Sequence, residues 1–279
     1  MRRYVVNKEY IGNGKVVLIA GGGKVYTDIA ARFVRSEKDL EDIISSPYSK
    51  EIVKNIIGSG HKAALEFDQF IFGVEGYSRV TETQLVRKRH ASYMIKTGRA
   101  NKSGKRSFDV VIPKSVESFN TSMLVNADDI FVYLDGKNTS VYSITGEEQA
   151  RYFYNSDNIL ELIENWYENG VKCGIKEEEL RYLKPQATEF KAIISMNATA
   201  LRDWFTIRTC LNSQTEIRDM ANKMLCLCKK VSPDLFEDAG ASCKVLGYCP
   251  ENKMQNEKCK GVVPTKNEAL DYLKNWSKQ

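Results

Sequence analysis

ALEFDQFIFGVEGYSRVTETQLVRKRHAS, residues Ala64–Ser92, changes its periodicity once and its charge once. In its first half Leu65, Phe67, Phe70, Phe72 and Val74 form a mostly alternating, aromatic-rich run, the pattern of a strand. From Ser78 to Ser92 the segment reads as a helix with Ser78 as N-cap, because a serine hydroxyl accepts from the first free amides of a helix.

The charge change continues further. Residues Gln84–Arg106 hold eight Lys or Arg, no acid, and His90, one of only two histidines. Arg87, Lys88 and Arg89 are consecutive, so on a helix they fan outward and cannot all face one ligand. After a break, Thr97, Gly98 and Arg99 offer a hydroxyl, backbone N–H groups and a guanidinium, a set suited to a phosphate. Nucleic-acid binders interleave stacking aromatics with such charge, and only Tyr93 is available here. Composition alone ranks a solvated face first, a small phosphate ligand second and nucleic acid third.

The whole chain sets the bounds. It has 279 residues, 42% apolar and 28% charged, with a net charge of +5. That is enough for one large or two small domains of ordinary globular composition. No apolar run approaches the length of a membrane span, so no membrane association is expected. The start, MRRYVVNKEYIGNGK, lacks the apolar stretch and cleavage site of a signal peptide. The seven cysteines include no C-x-x-C pair. Cys226 and Cys228 fall in a helical pattern. Cys243, Cys249 and Cys259, with five and nine residues between them, fall in a Gly-rich tail. Zinc sites usually show tighter pairs, so no metal is expected, and the chain reads as a reduced cytoplasmic protein.

KVVLIAGGGKVY invites a nucleotide-loop reading that fails: Val25, not Ser or Thr, follows Lys24, and G-x-G-x-x-G is absent. Gly21–Gly23 read as a turn before the helix VYTDIAARFVRS. Ser36–Gly58 reads as a helix broken near Pro47. Residues 100–150 carry strand-like runs in FDVVIPK, DIFVYLDG and TSVYSIT. From Glu147 to Lys230 the pattern is helical, with Pro185 ending KEEELRYLKP. The tail 231–279 is looser and closes with the short helix TKNEALDYLKNWSKQ.

In NATALRDWFTIRTCLN, Leu201, Trp204, Phe205 and Arg208 share one helical face. A guanidinium at the edge of an apolar stripe is costly unless it meets an acceptor. Arg208 therefore reaches water, pairs with a carboxylate such as Glu216, or serves a ligand. Arg181 is by itself an ordinary helix C-terminal cation, and Asn197 an ordinary N-cap.

EGYSRVTETQLVRKRHASYMIKTGR resembles the signature of the flavin-dependent thymidylate synthases, R-H-R followed by seven residues, then S-x-R. Here it reads Arg87-Lys88-Arg89 and Thr97-Gly98-Arg99, preceded by Gln84. SGHKAALEFDQFIF is similar to the family's H-x-S/T-P-x-E-H segment, AARFVRS to its A-A-R-V-S helix, and NATALRDWFTIRTCLN to its arginine-bearing helix. GYCPENKMQNEKC resembles the Cys-containing ends of some members. The likeness runs in order through about residues 20–260.

The resemblance implies an α/β (α+β) fold, a twisted sheet flanked by helices, over residues 1–240, with 241–279 as a Cys-containing extension. It implies a homotetramer with active sites between subunits. It implies methylation of dUMP to dTMP, with methylenetetrahydrofolate as carbon donor and NADPH as reductant through FAD. By position, Gln84, Arg87, Thr97, Gly98, Arg99, Arg181 and Arg208 are the dUMP contacts, and Arg208 is the catalytic residue, polarising the uracil. His61, Arg87, Lys88, Arg89, Asn197 and Asp203 are the FAD contacts. No nucleic acid is expected.

The departures cluster. Lys88 stands for the middle His, Thr97 for Ser, Ile95 for an acid, Thr199 for Arg, Asp203 for Asn and Asn212 for His. Val34 and Ala63 replace small hydroxyl residues. The dUMP set is largely intact, whereas the flavin set is remodelled. Two rivals follow: a pyrimidine-nucleotide hydroxymethylase, and a non-catalytic nucleotide-binding homologue.

Overall fold

The computed structural model describes residues 14–22, 25–96, 108–126, 142–144 and 149–276. The described residues within Asn13–Lys96 and Phe190–Gln279 form one compact unit, and those within Thr97–Glu189 form another.

The larger unit opens with β1 (Lys15–Ala20) and the turn at Gly21 and Gly22, with φ of 117° and 82°. A Cβ at Gly21 would lie 2.7 Å from the Gln69 carbonyl oxygen, so the turn needs glycine on both counts. Helix α1 (Tyr26–Phe33) follows, then α2 (Leu40–Ser45) and α3 (Lys50–Gly58) on either side of Pro47, as its sequence suggests. The buried Asp68 carboxylate caps α1 from a distance. It accepts from the Tyr26 amide at 2.9 Å, the Thr27 amide at 2.8 Å and the Thr27 hydroxyl at 2.7 Å. A carboxylate is favoured there because helix N-termini present free N–H groups and a positive dipole end.

The strand expected from Leu65 begins later. Residues Lys62–Phe67 form a 3₁₀ turn that buries Leu65 and exposes Phe67, and β2 runs Gln69–Ser78. Asp68, drawn to α1, marks the change. Helix α4 (Arg79–Leu85) follows without a gap. It is half the expected length. The Tyr93 hydroxyl donates to the carbonyls of Leu85 (2.9 Å) and Lys88 (3.0 Å), and His90 has φ of 57°. The chain thus turns through Val86–His90 into β3 (Ala91–Ile95).

In the smaller unit, FDVVIPK contributes only the bridge Val110–Thr188, then α5 (Lys114–Glu117). Strands β4 (Asn120–Asn126), β5 (Tyr142–Ile144) and β6 (Gln149–Asn155) form an antiparallel sheet in the order β4-β6-β5. TSVYSIT thus supplies β5, whereas DIFVYLDG lies outside the described residues. Helices α6 (Ser156–Lys172) and α7 (Glu177–Leu180) follow, and the 3₁₀ turn Arg181–Leu183 ends just ahead of Pro185. Val110, Ile112 and Leu160 make this unit's small core.

The helical reading of 147–230 misses two strands, β6 and β7 (Glu189–Asn197). In β7, Phe190, Ala192, Ile194 and Met196 are buried and alternate with Lys191, Ile193 and Ser195. Helices α8 (Ala198–Arg208), α9 (Thr215–Val231), α10 (Pro233–Phe236), α11 (Ser242–Leu246) and α12 (Lys266–Trp276) complete the chain. The larger unit's sheet has the order β1-β2-β7-β3, with β1–β2 and β3–β7 antiparallel. One face of it packs with Leu201, Trp204 and Phe205 of α8 and Ile217, Met220 and Met224 of α9 in a single core. The mixed helix–sheet architecture is the expected one.

Candidate active site

Two neighbouring central strands each run straight into a helix that carries a candidate site residue. Strand β2 ends at Ser78 and α4 begins at Arg79; β7 ends at Asn197 and α8 begins at Ala198. Both junctions are tied. The Asn197 side chain accepts from the Ala200 amide at 2.7 Å, the N-cap its sequence suggests. Ser78 does not cap α4 with its side chain. Its amide and hydroxyl instead donate to the buried Glu216 carboxylate, each at 2.5 Å. These two charge-assisted bonds offset the cost of burying that carboxylate. Nearby, the Tyr77 hydroxyl donates to Asp219 at 3.0 Å; burial, then Asp219, raises its pKa.

The two helices meet through Arg208 and Gln84. The Arg208 guanidinium donates to the Gln84 side-chain oxygen at 3.1 Å and to its backbone carbonyl at 3.3 Å. Arg208 is half-buried at the C-terminus of α8, where a cation is favoured. Among the described residues no carboxylate forms an ion pair with it, and Glu216 is committed to Ser78. Burial, then the neighbouring Arg87, lowers its pKa. Two guanidiniums thus stand near each other, and among the described residues neither forms an ion pair with an acid, an arrangement suited to an anion or an electron-rich ring.

The basic turn is not a helical fan. Lys88 reaches Asp203 at 3.9 Å, Lys62 reaches the same carboxylate at 3.0 Å, and Arg87 and Arg89 are exposed. Tyr93, in β3 just past the turn, fixes it by the two bonds already described; burial pushes its phenol up to about 12. His61 is exposed, with Nδ1 2.8 Å from the Ser59 hydroxyl. The Thr199 hydroxyl donates to the Lys62 carbonyl at 2.9 Å. His61, Gln84, Arg87, Lys88, Arg89, Asn197, Asp203 and Arg208 therefore all belong to the larger unit. Arg181, exposed after α7, belongs to the smaller one. Thr97, Gly98 and Arg99 lie outside the described residues.

A cleft of about 410 Å³ opens beside Gln84 and Arg208, walled on its far side by the tail. Asn212, one of the departures in sequence, donates to the Met254 carbonyl at 2.8 Å and so docks that tail. Sequence reasoning missed three contributors: Tyr93 as a clamp, Glu216 as the tie of Ser78, and Lys62 beside Asp203. The alternation of ASYMI was the available signal for Tyr93. Nothing local marks Glu216, whose partner is 138 positions away.

The chain is similar to known proteins over most of its length. Residues 21–234 match the family described as "Thymidylate synthase complementing protein". The chain is 32% identical over 251 residues to a flavin-dependent thymidylate synthase of Clostridium tetani, covering 88% of this chain and 90% of that one. It is 31% identical over 232 residues to the enzyme of that name from Sulfolobus acidocaldarius, covering 82% and 77%. Among solved structures, the UMP/dUMP methylase PolB from Streptomyces cacaoi, bound with 5-Br dUMP, has the same fold. Its TM-score is 0.57 at 18% identity, covering 81% of this chain and 94% of that one.

Proposed function

The chain belongs to the flavin-dependent thymidylate synthase family, and from that premise we propose that it methylates dUMP to dTMP at the site around Arg208. The observation that carries the assignment to this site is the pair Arg208 and Arg87. Arg208 is half-buried, hydrogen-bonded to a neutral Gln84, and unmatched by a carboxylate among the described residues.

Gln84 fixes the plane of the Arg208 guanidinium and leaves it further N–H donors. Placed against the polar edge of a uracil ring, they stabilise negative charge on that ring and make C5 nucleophilic, an electrostatic role preorganised by the fold. Arg87 supplies a second positive charge for the nucleotide. Thr97, Gly98, Arg99 and Arg181 are the further dUMP contacts in this reading.

The donors of the basic turn fit a flavin dinucleotide. Arg87 and Arg89 are exposed cations, and Lys88 and Lys62 stand beside Asp203. The Asn197 amide nitrogen remains for a ligand while its oxygen caps α8. These residues, with His61, would hold FAD, which when bound supplies the reducing equivalents that NADPH delivers and serves transfer of the one-carbon unit from methylenetetrahydrofolate.

The assembly belongs to the same reading: a cytoplasmic homotetramer. What supports association is the uncovered sheet face, where Val17, Ile19, Met94 and Ile193 are 44%, 56%, 74% and 50% exposed. A contiguous apolar patch of this kind marks an interaction surface. Among the described residues no helix is long and apolar enough to cross a membrane.

The test is a reaction of the purified chain with dUMP, methylenetetrahydrofolate, NADPH and FAD, followed by mass spectrometry. The expected product has the mass of dTMP. A hydroxymethylated product, or none from flavin-loaded protein, would overturn the assignment.

A further inference from the structure

Four of the seven cysteines line the cleft beside Arg208. Cys210 follows α8, Cys243 lies in α11, Cys249 follows that helix, and Cys259 closes a 3₁₀ turn. All four are free thiols. The remaining three, Cys173, Cys226 and Cys228, are not on this cleft.

The segment that carries three of the four has little to hold it together. Helix α11 has five residues and the two 3₁₀ turns three each. Val245, Leu246, Met254 and Val262 are exposed, and from 242 to 265 only Cys249 and Gln255 are buried. Segments without an apolar core usually need a covalent or metal staple. Lys244 donates to the Glu237 and Ala239 carbonyls and Gln255 to that of Val263, and three further polar ties reach the end of α8 and the loop after it. Ser242 donates to the Thr206 carbonyl at 3.2 Å, and Asn256 to the Leu211 carbonyl at 3.4 Å, beside the Asn212–Met254 bond. The tail is thus docked where Cys210 stands, and its own three cysteines face the same space.

We propose that Cys210, Cys243, Cys249 and Cys259 form a four-thiolate centre for a soft metal, held as a zinc ion or as an iron–sulfur cluster. Both are bound by four cysteine thiolates. Each thiol gives its proton to solvent as the metal binds. Cys210 is the member that spacing alone conceals, because it lies just beyond α8, 33 positions before Cys243. Among the described residues no three such side chains are gathered into a ready single-ion site. The ligands therefore close on the metal, in the coupled manner of small metal-stapled segments. Because Cys210 is two residues beyond Arg208, the centre anchors the helix end that presents that guanidinium.

The experiment reads metal content and does not depend on whether the chain methylates dUMP. The full chain is purified without oxygen and assayed for zinc, iron and acid-labile sulfide. The metal-free chain is then titrated with zinc chloride, or with ferric iron and sulfide in the presence of dithiothreitol, which reduces the share of the iron that the cluster holds as ferrous. The expected result is about one zinc, or about four irons with matching sulfide, per chain. Cys210→Ser and Cys259→Ser should each lower retained metal at least about tenfold, while Cys173→Ser and Cys226→Ser retain it. Visible thiolate-to-iron absorption, or thiolate–cobalt bands after exchange of zinc for cobalt, would identify the ligands in the unaltered chain. A chain that holds and takes up neither metal, that keeps its metal in Cys210→Ser, or that carries a disulfide between two of the four when freshly isolated overturns the proposal.

Discussion

Arg208 grips Gln84 twice, at 3.1 Å through the side-chain oxygen and at 3.3 Å through the backbone carbonyl, so α8 and α4 share one polar joint. The second bond survives any change of the Gln84 side chain, and the whole joint is lost with the arginine. Arg208→Ala should fold as the parent does, by circular dichroism, and lose about 10²–10³ in turnover, the usual cost of one preorganised charge contact. Arg208→Lys should not restore the rate, because an ammonium cannot reproduce the planar fork. Wild-type turnover in Arg208→Ala would remove Arg208 from the mechanism.

Tyr93→Phe tests the basic turn. It deletes the donor to the Leu85 and Lys88 carbonyls while keeping the ring. The expected loss is about 1–3 kcal/mol in urea unfolding, together with weaker dUMP binding as Arg87 loses its platform. Unchanged stability and affinity would mean that the turn is held by its backbone alone.

The flavin side is expected to be the weaker half of the site. Calorimetry should show dUMP binding without flavin and FAD binding weakly. Asp203 competes for Lys88 and Lys62; the carboxylate and Lys62 are solvent-exposed and the half-buried Lys88 is 3.9 Å away, so the pairs are worth little. Asp203→Asn should therefore tighten FAD by up to about fivefold, the scale of a surface ion pair. A looser complex would show that Asp203 contacts the cofactor.

For the assembly, light scattering should give a mass about four times 31.7 kDa. Met94→Lys puts a charge on the uncovered sheet face and should dissociate it, because desolvating an unpaired ammonium at an apolar interface is costly. A Met94→Lys chain of undiminished mass would place the interface elsewhere.

Arg202 and Asp238 form a two-point pair, 2.7 Å at each contact, and this holds the Asp238 pKa below its ordinary 3.8. A depressed folded-state value means the stabilisation is complete above the unfolded value and lost as pH falls through the folded one. Denaturant midpoints of the parent and Asp238→Asn should differ at pH 6, begin to converge below about pH 4, where the unfolded carboxylate gains its proton, and meet only once pH is below the depressed folded-state value. A difference that persists undiminished in acid would assign the effect to packing.

The sequence makes the chemistry more legible than the sheet. Gln84, Arg87 and Arg208 are picked out by motif, and the structure brings Arg208 onto Gln84 and near Arg87. β7 escapes because EFKAIISMN lies between helical runs and its alternation is short; pairing with β2 and β3, not local propensity, makes it a strand. The helix at Ser78 is overextended for a related reason. Val86–His90 has helical composition, but Tyr93 draws the carbonyls of Leu85 and Lys88 to itself. The fate of Ser78, bound to Glu216, depends on a contact too distant for any window of sequence to show.

Asn197 closes β7 and opens α8, so strand and helix meet with no slack between them. Helix α8 is then a lever pivoted on the sheet. Its 11 residues, at about 1.5 Å each, make an arm of roughly 16 Å with Arg208 at the tip. A tilt of about four degrees at the pivot moves that tip by about 1 Å, a displacement that can cost about a hundredfold in rate. Substitutions under the pivot, at Met196 or Ala198 in the buried core, should therefore be felt at the guanidinium before they are felt in the melting temperature.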